Sequence, residues 1–335
     1  MGAEHLVAAV MIVGLVLYLL GGGADFGGGV WDLLASGPRK AAQRALVERA
    51  IGPVWEANHV WFIFVFVLLF AAFPPAFARI TTALFGPLTL YAIGLVLRGS
   101  AFTFRHYEED EAKRRRFGAL FSAASIGCPF LLGEMGALLV RDAPLAPDLG
   151  SPFALASGVF ALALVAALAA TYLTVEAEDP ALREDFRTRA LASLVVAGLA
   201  SWLALLAGRS EATALVAKVG TGGTAAVATV LGAVALVLVA RRRFVLARAA
   251  VALLAGCVVV GWGLAKGEVL VPPDVTLAMA KAHPATLRTL LASCGVGALV
   301  LVPSLALLFK VFTPIRQAGE APGGPPVRPD DPPSH

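Results

Sequence analysis

The chain has 335 residues, of which 58% are hydrophobic and 15% are charged, and its mean hydropathy is +0.79. A soluble domain carries about 25% charged residues, and a chain this apolar lacks the polar surface that a soluble fold needs. The composition therefore excludes a soluble enzyme, a disordered chain and a nucleic-acid-binding domain. We interpret the net charge of +4 as Lys and Arg in the cytoplasmic loops of a membrane protein.

Apolar runs set the predicted architecture. A helix that spans a bilayer needs about 20 mostly apolar residues. The sequence contains nine such runs and predicts an all-α integral membrane protein with nine transmembrane helices. The runs are approximately 6–30, 54–78, 80–104, 117–140, 153–175, 190–208, 223–240, 249–265 and 287–312. We expect spans 1–4 and 5–8 to form two four-helix groups, with span 9 peripheral to them and span 1 retained as an uncleaved span.

The distribution of basic residues predicts the orientation. Of the 27 Lys and Arg residues, 19 fall in the loops and tail on one side, 7 fall on the other side, and Arg98 lies inside a span. Because cytoplasmic loops carry the excess of Lys and Arg, the N-terminus is predicted outside and the C-terminus in the cytoplasm. We therefore expect one polytopic domain over residues 1–316 and a disordered cytoplasmic tail over residues 317–335, which are rich in Pro, Gly and Asp.

Ionisable residues inside a bilayer are costly and are therefore functional candidates. Asp25 lies at the end of span 1, between the glycine runs 21–23 and 27–29. The glycines favour close helix packing and make the helix easy to bend or break. A phosphate loop explains them less well, because the Lys-Ser/Thr of such a loop is missing. Packing alone has no use for a carboxylate, so Asp25 is a candidate for a proton route.

A second polar cluster opens span 2. Pro53 suits the first turn of a helix, which places Glu56 near the helix N-terminus, where the dipole favours negative charge. Glu56 alone fits a helix cap as well as a functional acid. However, Glu56 and His59 are three residues apart and share a helix face, and Asn58 lies between them. Such a group can relay a proton or hold water, so Glu56, Asn58 and His59 join Asp25 as proton-route candidates.

Arg98 lies in span 3, about six residues before its cytoplasmic end. It can extend along the helix to the membrane surface or form a structural ion pair, because Asp25 and Glu56 also belong to the cytoplasmic halves of their spans. We expect Arg98 to pair with one of these acids while the other titrates. Glu134, towards the outer end of span 4, is expected at the membrane interface.

The histidines predict no haem or metal in this chain. A bis-histidine haem in a bundle needs facing histidines from its helices, and only His59 lies within a span. Copper and zinc ligand sets are also missing from the sequence.

At this point the motifs resemble those of subunit II of the cytochrome bd-type quinol oxidases. Residues 23–29 (Gly-Ala-Asp-Phe-Gly-Gly-Gly) are similar to the family's Asp-Gly-Phe-Asp-x-Gly-x-Gly, and residues 51–61 are similar to its Pro-x-Trp-Asp/Glu-x-Asn-x-Val-Trp. Shorter similarities occur at residues 70–74, 97–99, 104–105, 151–155, 171–173, 176 and 285–287. The tryptophan segment is the most specific of these.

The resemblance implies a heterodimer in the bacterial cytoplasmic membrane, with a partner subunit I that carries haem b, haem d and the quinol-oxidising loop. Such a complex oxidises quinol, reduces dioxygen to water and takes its protons from the cytoplasm. This chain would be a haem-free scaffold, in contact with subunit I and lipid, that lines part of the proton route; a structural quinone is compatible with the resemblance. Asp25 and Glu56 correspond to acidic positions of the family.

A second function class is a proton-coupled secondary transporter, which would use a broken first helix and midplane carboxylates. Haem b and haem d bands in the spectrum of the purified native assembly would distinguish the oxidase from the transporter.

Overall fold

The computed structural model describes residues 2–51 and 55–318, without the side chains of residues 51–57, 302, 305, 306 and 308–318. The predicted tail therefore lies outside the described residues from position 319 onwards. The described residues form thirteen helices and a two-stranded antiparallel sheet. The helices are α1 (Ala3–Leu33), α2 (Lys40–Ile51), α3 (Trp55–Ala72), α4 (Pro74–Ala83), α5 (Phe85–Tyr107), α6 (Glu111–Leu138), α7 (Pro152–Glu176), α8 (Pro180–Glu211), α9 (Thr213–Thr221), α10 (Thr224–Ala240), α11 (Phe244–Lys266), α12 (Leu277–Ala280) and α13 (Pro284–Ala318). The strands are β1 (Val269–Val271) and β2 (Val275–Thr276).

Within the described residues, seven helices are long and apolar enough to cross a membrane, namely α1, α5, α6, α7, α8, α11 and α13. Helices α9 and α10 together would form an eighth span, bent by 67° at their junction. The run predicted as span 2 corresponds to α3, whose described apolar part is shorter. The chain is thus an all-helical, multi-pass membrane protein, and the count of nine spans stays a prediction.

The predicted bounds of span 2 are wrong at its C-terminal end. The apolar run covers residues 54–78, but α3 ends at Ala72 and α4 begins at Pro74. Proline has no N–H to donate and blocks a helix interior, yet it suits the first helical turn. Pro74 and Pro75 therefore end one helix and begin the next, although hydropathy continues across them.

Helices α1 and α7 lie at the centre of the bundle. Helix α7 is the most buried of the candidate spans and packs against α1, α6, α8 and α11. A Cβ atom at Gly27 of α1 would overlap the backbone carbonyl of Val165 on α7, so a glycine is required for this close approach. Spans 1–4 (α1, α3, α5, α6) and spans 5–8 (α7, α8, α10, α11) are therefore joined mainly by the packing of α1 and α6 on α7.

Helix α13 lies at the edge of the bundle, where its main contacts are with α1 and α3. Its apolar side chains Val296, Leu299 and Val300 are exposed on the described surface. In a membrane, this surface would face lipid or another subunit.

Polar contacts gather at the two ends of the bundle. One end joins the start of α1 to the segment around the sheet, through His5 with Glu268 and Glu4 with Lys281. The opposite end joins the loop after α1 to α8, where Arg39 donates two hydrogen bonds to Asp185. The hydrogen bonds and charge of Asp185 raise the pKa of Arg39. The loops predicted outside thus meet at one end and those predicted cytoplasmic at the other.

Candidate functional site: a buried ion pair among α1, α3, α5 and α6

The site centres on an ion pair between α1 and α5. Arg98 donates hydrogen bonds from its two terminal nitrogens to the two carboxylate oxygens of Asp25, at 2.8 Å and 2.6 Å, and a third to the Asp25 backbone carbonyl at 3.0 Å. The Arg98 side chain is fully buried and that of Asp25 is 2% exposed. Arg98 therefore does not extend to the membrane surface; it neutralises Asp25 in the bundle interior.

Aromatic rings and a hydroxyl complete the surroundings of the Arg98 guanidinium. Its central carbon lies 4.9 Å from the ring centre of Phe26 and 4.9 Å from that of Phe121, within the range of cation–π attraction. Its Nε donates to the Ser125 hydroxyl at 2.8 Å, and that hydroxyl donates to the Phe121 carbonyl at 2.7 Å. With two terminal nitrogens on Asp25 and Nε on Ser125, Arg98 has a fixed geometry.

The glycines around Asp25 permit this packing without interrupting the helix. Helix α1 continues from Ala3 to Leu33 through both glycine runs, so the break that the transporter hypothesis needs in the first helix is missing. A Cβ atom at Gly29 would overlap the Ser125 side chain that receives Arg98. The bent pair α9–α10 lies elsewhere and carries neither Asp25 nor Arg98.

His59 and Asn58 bring α3 to the same cluster. The Nε2 atom of His59 lies 3.8 Å from Oδ2 of Asp25, and its ring packs against those of Tyr18 and Phe26. Asn58 is buried, and a Cβ atom at Gly21 would overlap its carbonyl oxygen. The Asn58 Nδ2 group has no hydrogen-bond partner among the described residues. Of the four proton-route candidates, Asp25, Asn58 and His59 are thus brought together.

His59 also borders a groove on the outside of the bundle. The groove has a volume of about 440 Å³ and lies between α3 and α5. Its lining residues are His59, Leu95, Val96, Gly99, Ser100, Thr103 and Phe104. The imidazole therefore separates buried Asp25 from an open surface.

Glu56 and Glu134 complete the predicted acids. The side chain of Glu56 lies outside the described residues. Glu134 is 3% exposed, because α6 turns this side chain into the bundle one helical turn before the helix ends at Leu138. Its expected depth at the membrane interface stays a prediction. The position of a residue along a predicted span does not show whether its side chain faces the bundle interior or the lipid.

Two polar contacts of the same region involve residues that the sequence analysis did not single out. Tyr18 of α1 and Tyr91 of α5 are hydrogen-bonded through their hydroxyls and buried. Asp32, near the end of α1, is 3% exposed and accepts a hydrogen bond from Arg105 at 2.9 Å. Their spacing could have pointed to them. Tyr18 and Asp32 lie seven residues before and after Asp25, which is about two helical turns, so all three share one face of α1.

The described residues offer no metal site and no facing pair of haem ligands. They contain no group of three His, Cys, Asp or Glu side chains arranged to hold a metal ion. His59 lies against Asp25, while His5, His106 and His283 lie at or near helix ends. The described histidines therefore do not form the facing pair that a bis-histidine haem needs.

Fold and site together define a multi-pass helical membrane protein with a buried charge pair in its interior. The chain belongs to the family described as cytochrome bd terminal oxidase subunit II, whose sequence profile matches residues 3–312. This confirms the resemblance seen in the motifs.

Individual relatives agree with this assignment. Cytochrome bd ubiquinol oxidase subunit 2 of Bacillus subtilis is 30% identical over 43% of this chain and 41% of its own length. Cytochrome bd-I ubiquinol oxidase subunit 2 of Escherichia coli is 26% identical over 57% of this chain and 54% of its own length. The matched segments thus span about half of these curated relatives. A putative cytochrome bd menaquinol oxidase subunit II of Bacillus subtilis matches at 24% identity over 92% of this chain and 95% of its own length.

The fold is shared with a solved oxidase. A chain in the structure of bd oxidase from Geobacillus thermodenitrificans superimposes with a TM-score of 0.80 at 21% identity, covering 93% of this chain and 99% of that one. The helical architecture is therefore that of a bd oxidase subunit.

Proposed function

We propose that this chain is the haem-free subunit II of a bd-type terminal quinol oxidase of a bacterial cytoplasmic membrane. The observation that carries the proposal is the family match over residues 3–312. In this assembly the reaction is the oxidation of quinol coupled to the reduction of dioxygen to water. Haem b and haem d, which supply the electron transfer and the oxygen chemistry, would belong to the partner subunit I, as the family resemblance implies.

The contribution of this chain is to support subunit I and to line part of a proton route from the cytoplasm. Asp25 is a poor proton carrier, because protonating it would leave Arg98 buried without its counter-ion. Asp25 and Glu56 were the two possible partners of Arg98. Since Asp25 is the one that pairs with it, Glu56 is the acid that titrates. His59 lies beside Asp25 at the groove between α3 and α5, where an imidazole can pass a proton between the groove and the cluster.

The experiment that tests the assignment is an absorption spectrum of the native assembly, purified through an affinity tag on this chain. Haem b and haem d bands, with a haem-bearing second subunit in stoichiometric amount, are expected. A pyridine-haemochrome assay on this chain expressed alone should show no haem. Stoichiometric haem in the isolated chain, or a haem-free native assembly, would overturn the proposal.

A further inference from the structure

Three side-chain pairs connect α1 to α5 at regular intervals. In each pair the α5 residue is 73 positions after its α1 partner, and successive pairs are seven residues apart. The pairs are Tyr18 with Tyr91, Asp25 with Arg98, and Asp32 with Arg105. We call this set the α1–α5 ladder. A constant offset means that the two helices run parallel and in register over about 20 Å of their length.

These side chains, rather than backbone packing, connect the two helices. Within the described part of the chain, α1 packs closely on α3, α6, α7 and α11, while α5 packs mainly on α6. Side chains of α6 fill the space between α1 and α5, as Phe121 and Ser125 do around Arg98. The ladder therefore provides the direct contacts between α1 and α5, and α6, which packs on both helices, supports their register.

The lowest pair of the ladder lies at the predicted cytoplasmic end. The side chain of Asp32 is 4% exposed and that of Arg105 is 17% exposed, so the pair is largely shielded from water. Arg44 supports it by donating to the Asp32 backbone carbonyl at 3.1 Å, and its Nε lies 3.8 Å from the Asp32 carboxylate.

The ring of Phe121 borders a small cavity shared with Asp32 and Arg105, and the same ring packs on Arg98. Glu48 borders the same cavity as Asp32 and Arg105. Phe121 thus packs on the middle pair and borders the cavity of the lowest pair.

We infer that Asp32 and Arg105 are positioning residues, which set the register that holds Arg98 against Asp25. This inference rests on the proposed proton route, because it explains what commits Arg98 to one acid. If α5 shifted along α1, Arg98 would lose its hydrogen bonds to Asp25 and Ser125. The buried Asp25 carboxylate would then no longer be neutralised by Arg98.

The test uses the assembled oxidase complex and a variant pair that keeps the net charge. Asp32→Asn with Arg105→Gln removes one charge of each sign and breaks the lowest pair. We expect the pH profile of quinol-driven oxygen consumption, per assembled complex, to move by about half a unit or more, because the buried Asp25 would lose the cation that neutralises it. The matched control, Asp185→Asn with Arg39→Gln, removes an ion pair at the same end but outside the ladder, and should leave the profile unchanged. Equal profiles for the two double variants would overturn the inference.

Thermal unfolding supplies a second readout that does not depend on turnover. Asp32 and Asp25 are about 10 Å apart along α1, and substitutions at that distance without shared partners normally have additive effects. The ladder predicts that the double variant Asp25→Asn with Asp32→Asn loses less Tm than the two single variants added together. The difference from additivity should be roughly 2 °C or more. Additive effects, like those expected for Asp185→Asn with Asp25→Asn, would contradict the inference.

Glu56→Gln, measured in parallel, separates this inference from the proposed function. If Glu56→Gln has the turnover and pH profile of the unsubstituted complex, the proton-route proposal fails whatever the ladder does. If Glu56→Gln slows turnover while the ladder variants behave like their controls, only the ladder inference fails.

Discussion

The Asp25–Arg98 pair and the Asp185–Arg39 pair use the same chemical groups in different surroundings. Both are bidentate, with hydrogen bonds of 2.5 to 2.8 Å. The first is fully enclosed by α1, α5 and α6, whereas 45% of the Arg39 side chain is exposed. Water can replace a partner at the bundle end but not in the interior. The comparison teaches that burial, rather than geometry, decides how much the protein depends on an ion pair.

Arg98→Leu should have the largest effect on assembly. It leaves the Asp25 carboxylate buried without a counter-ion, and breaking such a pair costs about 3–5 kcal/mol. We expect little assembled complex and a large fall in Tm, measured by size-exclusion chromatography and thermal unfolding. Asp25→Leu with Arg98→Leu should be less harmful than the sum of the two single changes. Strict additivity would show that the two charges do not depend on each other.

Glu56→Gln tests whether Glu56, rather than the paired Asp25, carries protons. Glutamine keeps the shape and loses the titrating group, so turnover should fall by about tenfold or more. Oxygen consumption by quinol-supplied membranes, normalised to assembled complex, is the measurement. Glu134→Gln is the matched control, an acid of α6 that is buried away from the ion pair, and it should slow turnover less. If both variants match the unsubstituted complex, Glu56 is not part of the route.

Gly27→Ala tests the helix packing that encloses the interior pair. The added Cβ would overlap the Val165 carbonyl, and overpacking of this kind costs about 1–3 kcal/mol. Gly198→Ala on α8 is the control, because no atom lies within 4 Å of its added Cβ and alanine favours a helix by about 0.5–1 kcal/mol. A lower Tm for Gly27→Ala only is expected; equal Tm values would contradict the close α1–α7 contact.

Arg39→Leu should have the smallest effect of these variants. A partly exposed ion pair contributes about 0–1 kcal/mol, so the Tm of the complex should change little, and less at high salt than at low salt. If Arg39→Leu lowered the Tm as much as Arg98→Leu does, burial would not explain the difference between the two ion pairs.

Much of the fold followed from hydropathy, and part of the site followed from depth. Each of the nine apolar runs overlaps a helix of the structure, but the runs 54–78 and 80–104 cross the breaks between α3 and α4 and between α4 and α5. The depth of Asp25 and Arg98 in their spans led us to expect an ion pair at that level. The end of span 2 was wrong because hydropathy does not register the backbone effect of Pro74.

Other parts of the site depend on which side of each helix faces inward. Asp32 was overlooked because the apolar run was ended at residue 30, although α1 continues to Leu33. Tyr18 and Tyr91 were overlooked because we started from side chains that carry a charge near neutral pH. Their pairing becomes visible when α1 and α5 are placed in register, which a single sequence does not specify.

The central claim is that Asp25 is held by Arg98 while Glu56 carries the proton. The most direct test measures two quantities for Asp25→Asn and Glu56→Gln, namely the yield of assembled complex and the oxygen consumption per complex. The claim predicts opposite orders: Asp25→Asn should lower the yield more, and Glu56→Gln should lower the turnover of each complex more. If Asp25→Asn assembles normally and loses the greater part of its turnover, Asp25 is the proton carrier and the claim is wrong.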